Sequence, residues 1–284
     1  MKRFATALAA LLLLAGQPSQ AQMNMLTGAG GKFRAAPAGF DPLSLSPFVY
    51  YQVNRSTVYQ SNSCTGTQAT SDGDPVGCIT DLGSAGFNLV SAADDTTRPT
   101  YHPNSGKPYI TFDGSNDCLR SLNTIGLYPN GTFGIVAAFA SASASPSAGQ
   151  YTFAEGSGAS ANPVGGWINT VGGGTQASWL VRNDAGSTIV AAFNVAAAMT
   201  GASVVYGLSW DGSNITPYLA GSAGTNRAMA TGSTMTINRF SVGCLVRTTT
   251  AGFFAGNFQA IFVKKATLSA GNMTSLNTYF AGIQ

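Results

Sequence analysis

Residues 98–122 read RPTYHPNSGKPYITFDGSNDCLRSL, and the way this stretch punctuates itself decides the fold. Arg98 precedes Pro99 and is pushed toward extended backbone, so a strand starts here. Pro103-Asn104-Ser105-Gly106 is a run of turn residues. Tyr109 to Asp113 then alternates, with Ile110 and Phe112 on one face and Tyr109 and Thr111 on the other. Asp113-Gly114-Ser115 closes that strand, and Cys118 to Leu122 opens the next. Consecutive short strands joined by tight turns are the signature of an antiparallel sheet.

The same grammar runs outward in both directions. Phe48 to Val53 reads as a first strand, Asn62 to Gly77 as a long loop, and Asp81 to Leu89 as a turn leading into a short strand. Thr132 to Ala140 reads as a buried strand, with Phe133, Ile135, Ala137 and Phe139 on one face and Val136 and Ala138 on the other. The Ser/Ala run Ser141 to Gly149 reads as a loop, because Pro146 and its serines argue against a helix. Tyr151 to Glu155, Gly166 to Thr170, Ser178 to Arg182 and Thr188 to Phe193 are four more short strands, separated by turns such as Gly172-Gly173-Gly174. Ser203 to Trp210 alternates strictly, and Asp211-Gly212-Ser213-Asn214 turns it back into Ile215 to Ala220, a hairpin. Pro217 makes the return strand an edge or a bulge. Phe240 to Val246 and Phe253 to Lys264 complete the set, with Phe254, Phe258 and Phe262 placed on one face by their spacing. Ser269 to Phe280 is the one helix predicted after the N-terminal segment, capped by Ser269 with Met273, Leu276 and Phe280 as its apolar stripe. About thirteen short strands and one terminal helix make an all-β protein, a two-sheet antiparallel sandwich or jelly roll.

The chain begins MKRFATALAALLLLAGQPSQAQ, with a basic start, an apolar run from Phe4 to Ala15 and a Ser19-Gln20-Ala21 site. This predicts a signal peptide over 1–21 and a mature start near Gln22. The apolar run is too short for a membrane span, and no later run is longer. Residues 22–45, rich in Gly, Ala and Pro, read as a linker before a domain over 46–284. Without Lys2 and Arg3, 12 Lys+Arg stand against 11 Asp+Glu, a net of +1. That excludes a nucleic-acid footprint. Charged residues make up 9% of the chain beside 35 glycines, so its surface is polar but nearly uncharged, as in an exported β protein, secreted or periplasmic.

Export gives the cysteines Cys64, Cys78, Cys118 and Cys244 a disulfide reading. Four cysteines allow three pairings, and spacing does not choose among them. Cys64 and Cys78 bracket the loop TGTQATSDGDPVG, and a bridge there would stabilise by about 3 kcal/mol in the chain-entropy model.

The segments RPTY, GKPYITFDGSNDCL, SWDGSNITPYLAG, FSVGC and LSAGNMTSLNTYFAG occur in this order. Together they resemble the concanavalin A-like lectin/glucanase superfamily, in particular laminin-G-like domains of bacterial secreted or phage-derived proteins. The resemblance covers roughly 46–284 and implies a jelly roll of two curved antiparallel sheets. The chain departs from that pattern at its cysteines. Cys78 stands near the place of a tryptophan, Cys118 where an aromatic is common, and Cys244 where a small residue is common. Two such departures in core strands suggest a Cys118–Cys244 bridge; the alternative is two buried free thiols.

The resemblance brings enzymes into view, because the fold also hosts glycoside hydrolases and polysaccharide lyases. Hydrolysis needs two carboxylates flanking one bond. Glu155 is the sole glutamate, and no strand carries two carboxylates on one face. The sole histidine, His102, reads as a turn residue in YHPN, and no nucleophile elbow accompanies it. The reading is therefore non-catalytic, with no cofactor. Calcium is the one ion considered, on Asp72 and Asp74, Asp94 and Asp95, or Asp113, Asn116 and Asp117; turn chemistry accounts for each group better, and none matches a known calcium loop. Sugar binding draws on aromatic faces, for which Trp167, Trp179, Trp210, Tyr151 and Tyr218 are candidates. Trp210 belongs to a core alternation, and Trp179 and Arg182 fall on opposite faces. Trp167, flanked by Gly165 and Gly166, is the expected stacking platform, with Trp179 second. The predicted function is a secreted carbohydrate-binding module for a glycan or cell-surface polysaccharide. The alternative is a structural, adhesive or virion protein.

Overall fold

The computed structural model describes residues 39–92, 97–104, 107–127, 131–141, 149–169, 176–194, 204–228 and 234–283. The predicted signal peptide, most of the predicted linker, Asp94 and Asp95, the Ser/Ala loop at 142–148 and the glycine turn at 171–175 lie outside them. The first strands are β1 (Val49–Gln52), β2 (Val58–Tyr59), β3 (Asp74–Pro75), β4 (Cys78–Ile79), β5 (Leu89–Ser91), β6 (Thr100–His102), β7 (Tyr109–Asp113) and β8 (Leu119–Ser121). Longer ones follow: β9 (Phe133–Ser141), β10 (Gln150–Ser157), β11 (Ser160–Asn169), β12 (Gln176–Arg182), β13 (Thr188–Asn194), β14 (Val204–Trp210) and β15 (Asn214–Leu219). The chain ends with β16 (Ser222–Ala223), β17 (Arg227–Ala228), β18 (Arg239–Val242), β19 (Leu245–Val246), β20 (Thr250–Ala251), β21 (Ala255–Lys264) and the helix α1 (Ala270–Gly282).

Every strand pairing among the described residues is antiparallel. A ten-stranded sheet runs β16-β15-β14-β9-β21-β7-β6-β3, with β1 also on β21 and β17 on β15. A nine-stranded sheet runs β13-β12-β11-β10-β18-β8-β5-β4-β2. The stretch at 98–122 supplies β6 and β7 to the first sheet and β8 to the second, so its turn after Asp113 carries the chain from one layer to the other. Between the layers, Phe112, Phe133, Phe139, Phe153, Trp179, Tyr206, Trp210, Phe240 and Phe254 form one buried core. Aromatic side chains bury large areas, so these rings dominate the packing between the sheets.

A second core lies outside the ten-stranded sheet. There α1 lays Met273, Leu276 and Phe280 on Tyr50, Val136, Ala138, Val205, Ala260 and Phe262. The Ser269 hydroxyl accepts from the Asn272 N–H at 3.2 Å, capping the helix.

Four expectations change. Phe262 faces the helix, whereas Phe254 and Phe258 face the main core. The register of β21 against β9 shifts between Phe258 and Ala260, and one extra residue reverses the side-chain parity of a strand. The stretch 240–246 is two strands, broken at Gly243, which has φ 78°. A side chain there would also run into the Phe112 ring. The linker stops short of the sandwich: Pro42 to Leu45 form a 3-10 turn capped by Asp41, and Phe40 meets Tyr279 at 6.2 Å. His102 ends strand β6 instead of sitting in a turn.

Both disulfides form. Cys64–Cys78 ties the 62–77 loop to β4, and Cys118–Cys244 joins the start of β8 to the corner between β18 and β19.

Candidate functional site

The helix covers only part of the outer face of the ten-stranded sheet. Toward the β3 edge, the residues alternating with the core-facing Tyr101, Ile110 and Phe112 look outward: Thr100 and His102 from β6, Tyr109 and Thr111 from β7. Register sets them side by side, with Thr100 opposite Thr111 and His102 opposite Tyr109. Asn257 of β21 pairs with Thr111 and extends the row.

Local chemistry fixes each group. The His102 and Tyr109 rings stack with centroids 4.8 Å apart and planes 23° apart. Asp74 accepts the Thr70 and Ser71 N–H groups at 2.8 Å each, which folds the loop before β3. Those two backbone donors hold the Asp74 carboxyl below its ordinary value. Because β3 pairs with β6, this loop brings Asp72 Oδ1 within 2.6 Å of His102 Nδ1. His102 Nε2 lies 3.3 Å from Thr100 Oγ1, so both ring nitrogens are engaged. The Thr111 hydroxyl donates to Asn257 Oδ1 at 2.9 Å. The His102 side chain is 25% exposed and that of Asp72 76%. The patch thus presents a ring pair, a carboxylate, an amide and hydroxyls: groups that stack on a pyranose face and exchange hydrogen bonds with its hydroxyls.

Of the tryptophans named from sequence, Trp179 and Trp210 are not part of it. Trp179 is 1% exposed and packs between Phe133 at 5.8 Å and Phe153 at 5.7 Å, so it is a core residue and not a platform. The opposite placement of Arg182 on β12 holds, and it is what sends Trp179 inward. Trp167 is register-paired with Phe153 and Trp179; its side chain lies outside the described residues. Trp210 is buried in the core, and Tyr218 packs at the edge of the helix cluster. Tyr151 is 8% exposed on the outer side of the nine-stranded sheet.

Asp113 and Asp117 serve as turn caps. Asp113 Oδ1 accepts from Ser115 at 2.7 Å and from Asn116 at 3.1 Å. Asp117 Oδ2 accepts from the Asp113 N–H at 2.8 Å. Burial pushes Asp117 up to about 6, against the pull of that N–H. Among the described residues no three His, Cys, Asp or Glu side chains converge on a point that could hold a metal ion.

Glu155 is 1% exposed and holds a loop in place. Its Oε1 accepts from the Thr124 hydroxyl at 2.6 Å and the Gly126 N–H at 2.7 Å, and its Oε2 from the Leu127 N–H at 2.8 Å. Burial nevertheless raises its pKa, because desolvation outweighs these donors.

Sequence reasoning set His102 aside and passed over Tyr109, Thr111 and Asn257. The alternation of Tyr109 and Thr111 was the available signal, but its partners come from β6 and β21, which only the tertiary register brings alongside.

No family model matches this chain, and no curated protein matches it. Solved structures do. The botulinum neurotoxin serotype G binding domain is 10% identical with a TM-score of 0.55, covering 81% of this chain and 50% of its own. The binding domain of Paraclostridial Mosquitocidal Protein 1 is 9% identical with a TM-score of 0.55, covering 83% and 52%. A Ruminococcus gnavus IT-sialidase CBM40 superposes more loosely, at 16% identity and a TM-score of 0.44 over 52% of this chain and 83% of its own. This chain spans about half the length of the neurotoxin domains it matches. The likeness at these identities is one of fold, the all-β sandwich; the toxin structures named here are binding domains.

Proposed function

We propose that this chain is an exported, non-catalytic carbohydrate-binding module of the concanavalin A-like, laminin-G-like jelly-roll kind. Its sugar platform is the His102–Tyr109 ring pair with Asp72, Thr111 and Asn257. The stacked, partly exposed ring pair fenced by polar groups, on a sheet face the helix leaves open, carries this reading. Two disulfides and the predicted cleavage before Gln22 support export. The described helix is not long and apolar enough to cross a membrane.

Isothermal titration against a panel of neutral polysaccharides tests the platform. Tyr109→Ala should weaken binding about tenfold, the equivalent of 1.4 kcal/mol, and Trp167→Ala checks the other aromatic named from sequence. Binding that survives Tyr109→Ala but falls with Trp167→Ala would move the site to β11. One observation favours a hydrolytic reading: Asp72, His102 and Thr100 are connected in the order of a catalytic relay. Turnover of any glycan or ester, abolished by Thr100→Ala, would establish that reading in place of the non-catalytic one.

A further inference from the structure

On the opposite side of the sandwich, two arginines meet without an acid. Arg182 leaves β12 on the outer face of the nine-stranded sheet. Its Nε donates to the Asn162 carbonyl at 2.7 Å and its Nη2 to the Ala161 carbonyl at 2.9 Å. Arg247, just after β19, donates from Nη1 to the same Ala161 oxygen at 2.8 Å. The two donor nitrogens are therefore no farther apart than these two bonds laid end to end. Neither guanidinium makes an ion pair among the described residues. The Arg247 Nε is buried without a hydrogen-bond partner among them. Asp184 lies close in sequence, but its carboxylate is taken by the Thr236 N–H at 2.9 Å and hydroxyl at 2.8 Å.

The setting is rigid. The Tyr151 ring packs against Gly252, and with Ala154, Leu245 and Leu180 it makes an apolar floor. Burial raises the Tyr151 phenol, and the charges of Arg182 and Arg247 act against that rise. Leu180 lies two residues before Arg182 on β12 and Leu245 two before Arg247, so this floor adjoins both arginines, and the hairpin that leads to Arg247 is bound at its base by Cys118–Cys244. Two like charges pinned side by side over an apolar floor repel each other, and one shared carbonyl oxygen offsets that only in part. An anion between them would remove the repulsion and take up N–H groups still unused. Guanidinium forks match planar carboxylates in two-point contacts.

The geometry points to Arg182, Arg247 and Tyr151 as a second binding site, selective for the carboxylate of an acidic sugar. That the ligand is a glycan rests on the binding-module reading; the anion preference rests on the arginines alone.

The test uses the full chain, titrated with trigalacturonate, with its neutral methyl ester, with N-acetylneuraminate and with dextran sulfate. Trigalacturonate or N-acetylneuraminate should bind at least tenfold tighter than the methyl ester. Arg247→Gln, at a hairpin tip where folding is least at risk, should erase that difference, as should Arg182→Gln combined with it. Arg55→Gln with Arg227→Gln removes equal charge from exposed positions elsewhere and should leave the difference intact. The proposal is overturned if neither carboxylated sugar binds, if the ester binds equally well, or if the control pair weakens binding as much as Arg247→Gln. Preferred binding of dextran sulfate would overturn the carboxylate assignment. Acid binding that depends on Arg247 and survives Tyr109→Ala separates this site from the sheet-face platform.

Discussion

Over the ten-stranded sheet lies a thirteen-residue helix; over the nine-stranded sheet lies a hairpin whose strands have two residues each. The helix holds by burial, with Phe280 stacked on Tyr50 at 6.2 Å and Leu276 and Met273 beside it. The hairpin cannot hold that way, because Leu245 and Val246 are its main apolar contribution. It is fixed by close approach and by a covalent bond. The Gly243 N–H donates to the Thr152 carbonyl at 2.9 Å, and the Tyr151 N–H to the Gly252 carbonyl at 2.8 Å. The Val246 carbonyl lies where any side chain at position 156 would go, so Gly156 is the floor on which the hairpin rests. A broad apolar cover needs no tether and leaves little surface beneath it. A thin cover needs one, and leaves polar groups such as Arg182 and Arg247 beside it.

Removing the largest contact on the helix side should have the largest effect. Phe280→Ala leaves a cavity between two layers and should cost about 4 kcal/mol. Urea unfolding followed by tryptophan fluorescence would read it as a lower midpoint with an unchanged slope. A cost near zero would mean that α1 is an ornament on an already stable sheet.

Replacing Cys118 and Cys244 together with alanine should cost about 3–4 kcal/mol, within the usual range for a disulfide and less than the roughly 5 kcal/mol that the chain-entropy account gives a loop this long. The bridge spans 126 residues of sequence, so part of that loss is global. The distinguishing sign is local. Amide exchange should quicken first at 243–252 while the amides of β9 and β14 keep their protection. Uniform quickening would show that the hairpin is held by the sheet and not by the bridge.

Cys64 and Cys78 are 14 residues apart and clip a loop at the sandwich rim. Losing that bridge should cost about 3 kcal/mol and expose 61–68 to proteases without opening the core. Cleavage inside β9 or β21 would contradict that placement.

The repeated alternations made the sandwich legible, and the buried faces of β9 and β14 match them residue by residue. Ser269 and the Met273, Leu276, Phe280 spacing gave the helix. Phe262 was misplaced because a single-residue bulge leaves no mark in composition. The sites were far less legible. His102 and Asp72 are 30 positions apart, and Arg182 and Arg247 are 65 apart (247 less 182). Their meeting depends on which strands neighbour which, and alternation within a strand says nothing of its neighbours. The tryptophans drew notice as large and aromatic, but these properties also fit the core, and Trp179 went there.

Asp117 sharpens the comparison by the smallest step. It sits beside Cys118 at the base of the hairpin, 6% exposed, and burial raises its pKa from 3.8 to about 6. The folded protein therefore keeps this proton to higher pH than the unfolded chain does. The stability this contributes is full below about pH 4 and is lost as pH rises through about 6. Asp81 and Glu155 are also raised by burial and act in the same direction. Thermal melts should accordingly fall from pH 5 to pH 8. Asp117→Asn keeps an oxygen for the Asp113 N–H and removes the charge. It should melt with the wild type at pH 4 and gain about 1–2 kcal/mol over it at pH 8. A variant less stable than wild type at pH 8 would show that the anion is held by its N–H donor more firmly than burial penalises it. The hairpin base would then be stabilised by that charge instead of burdened by it.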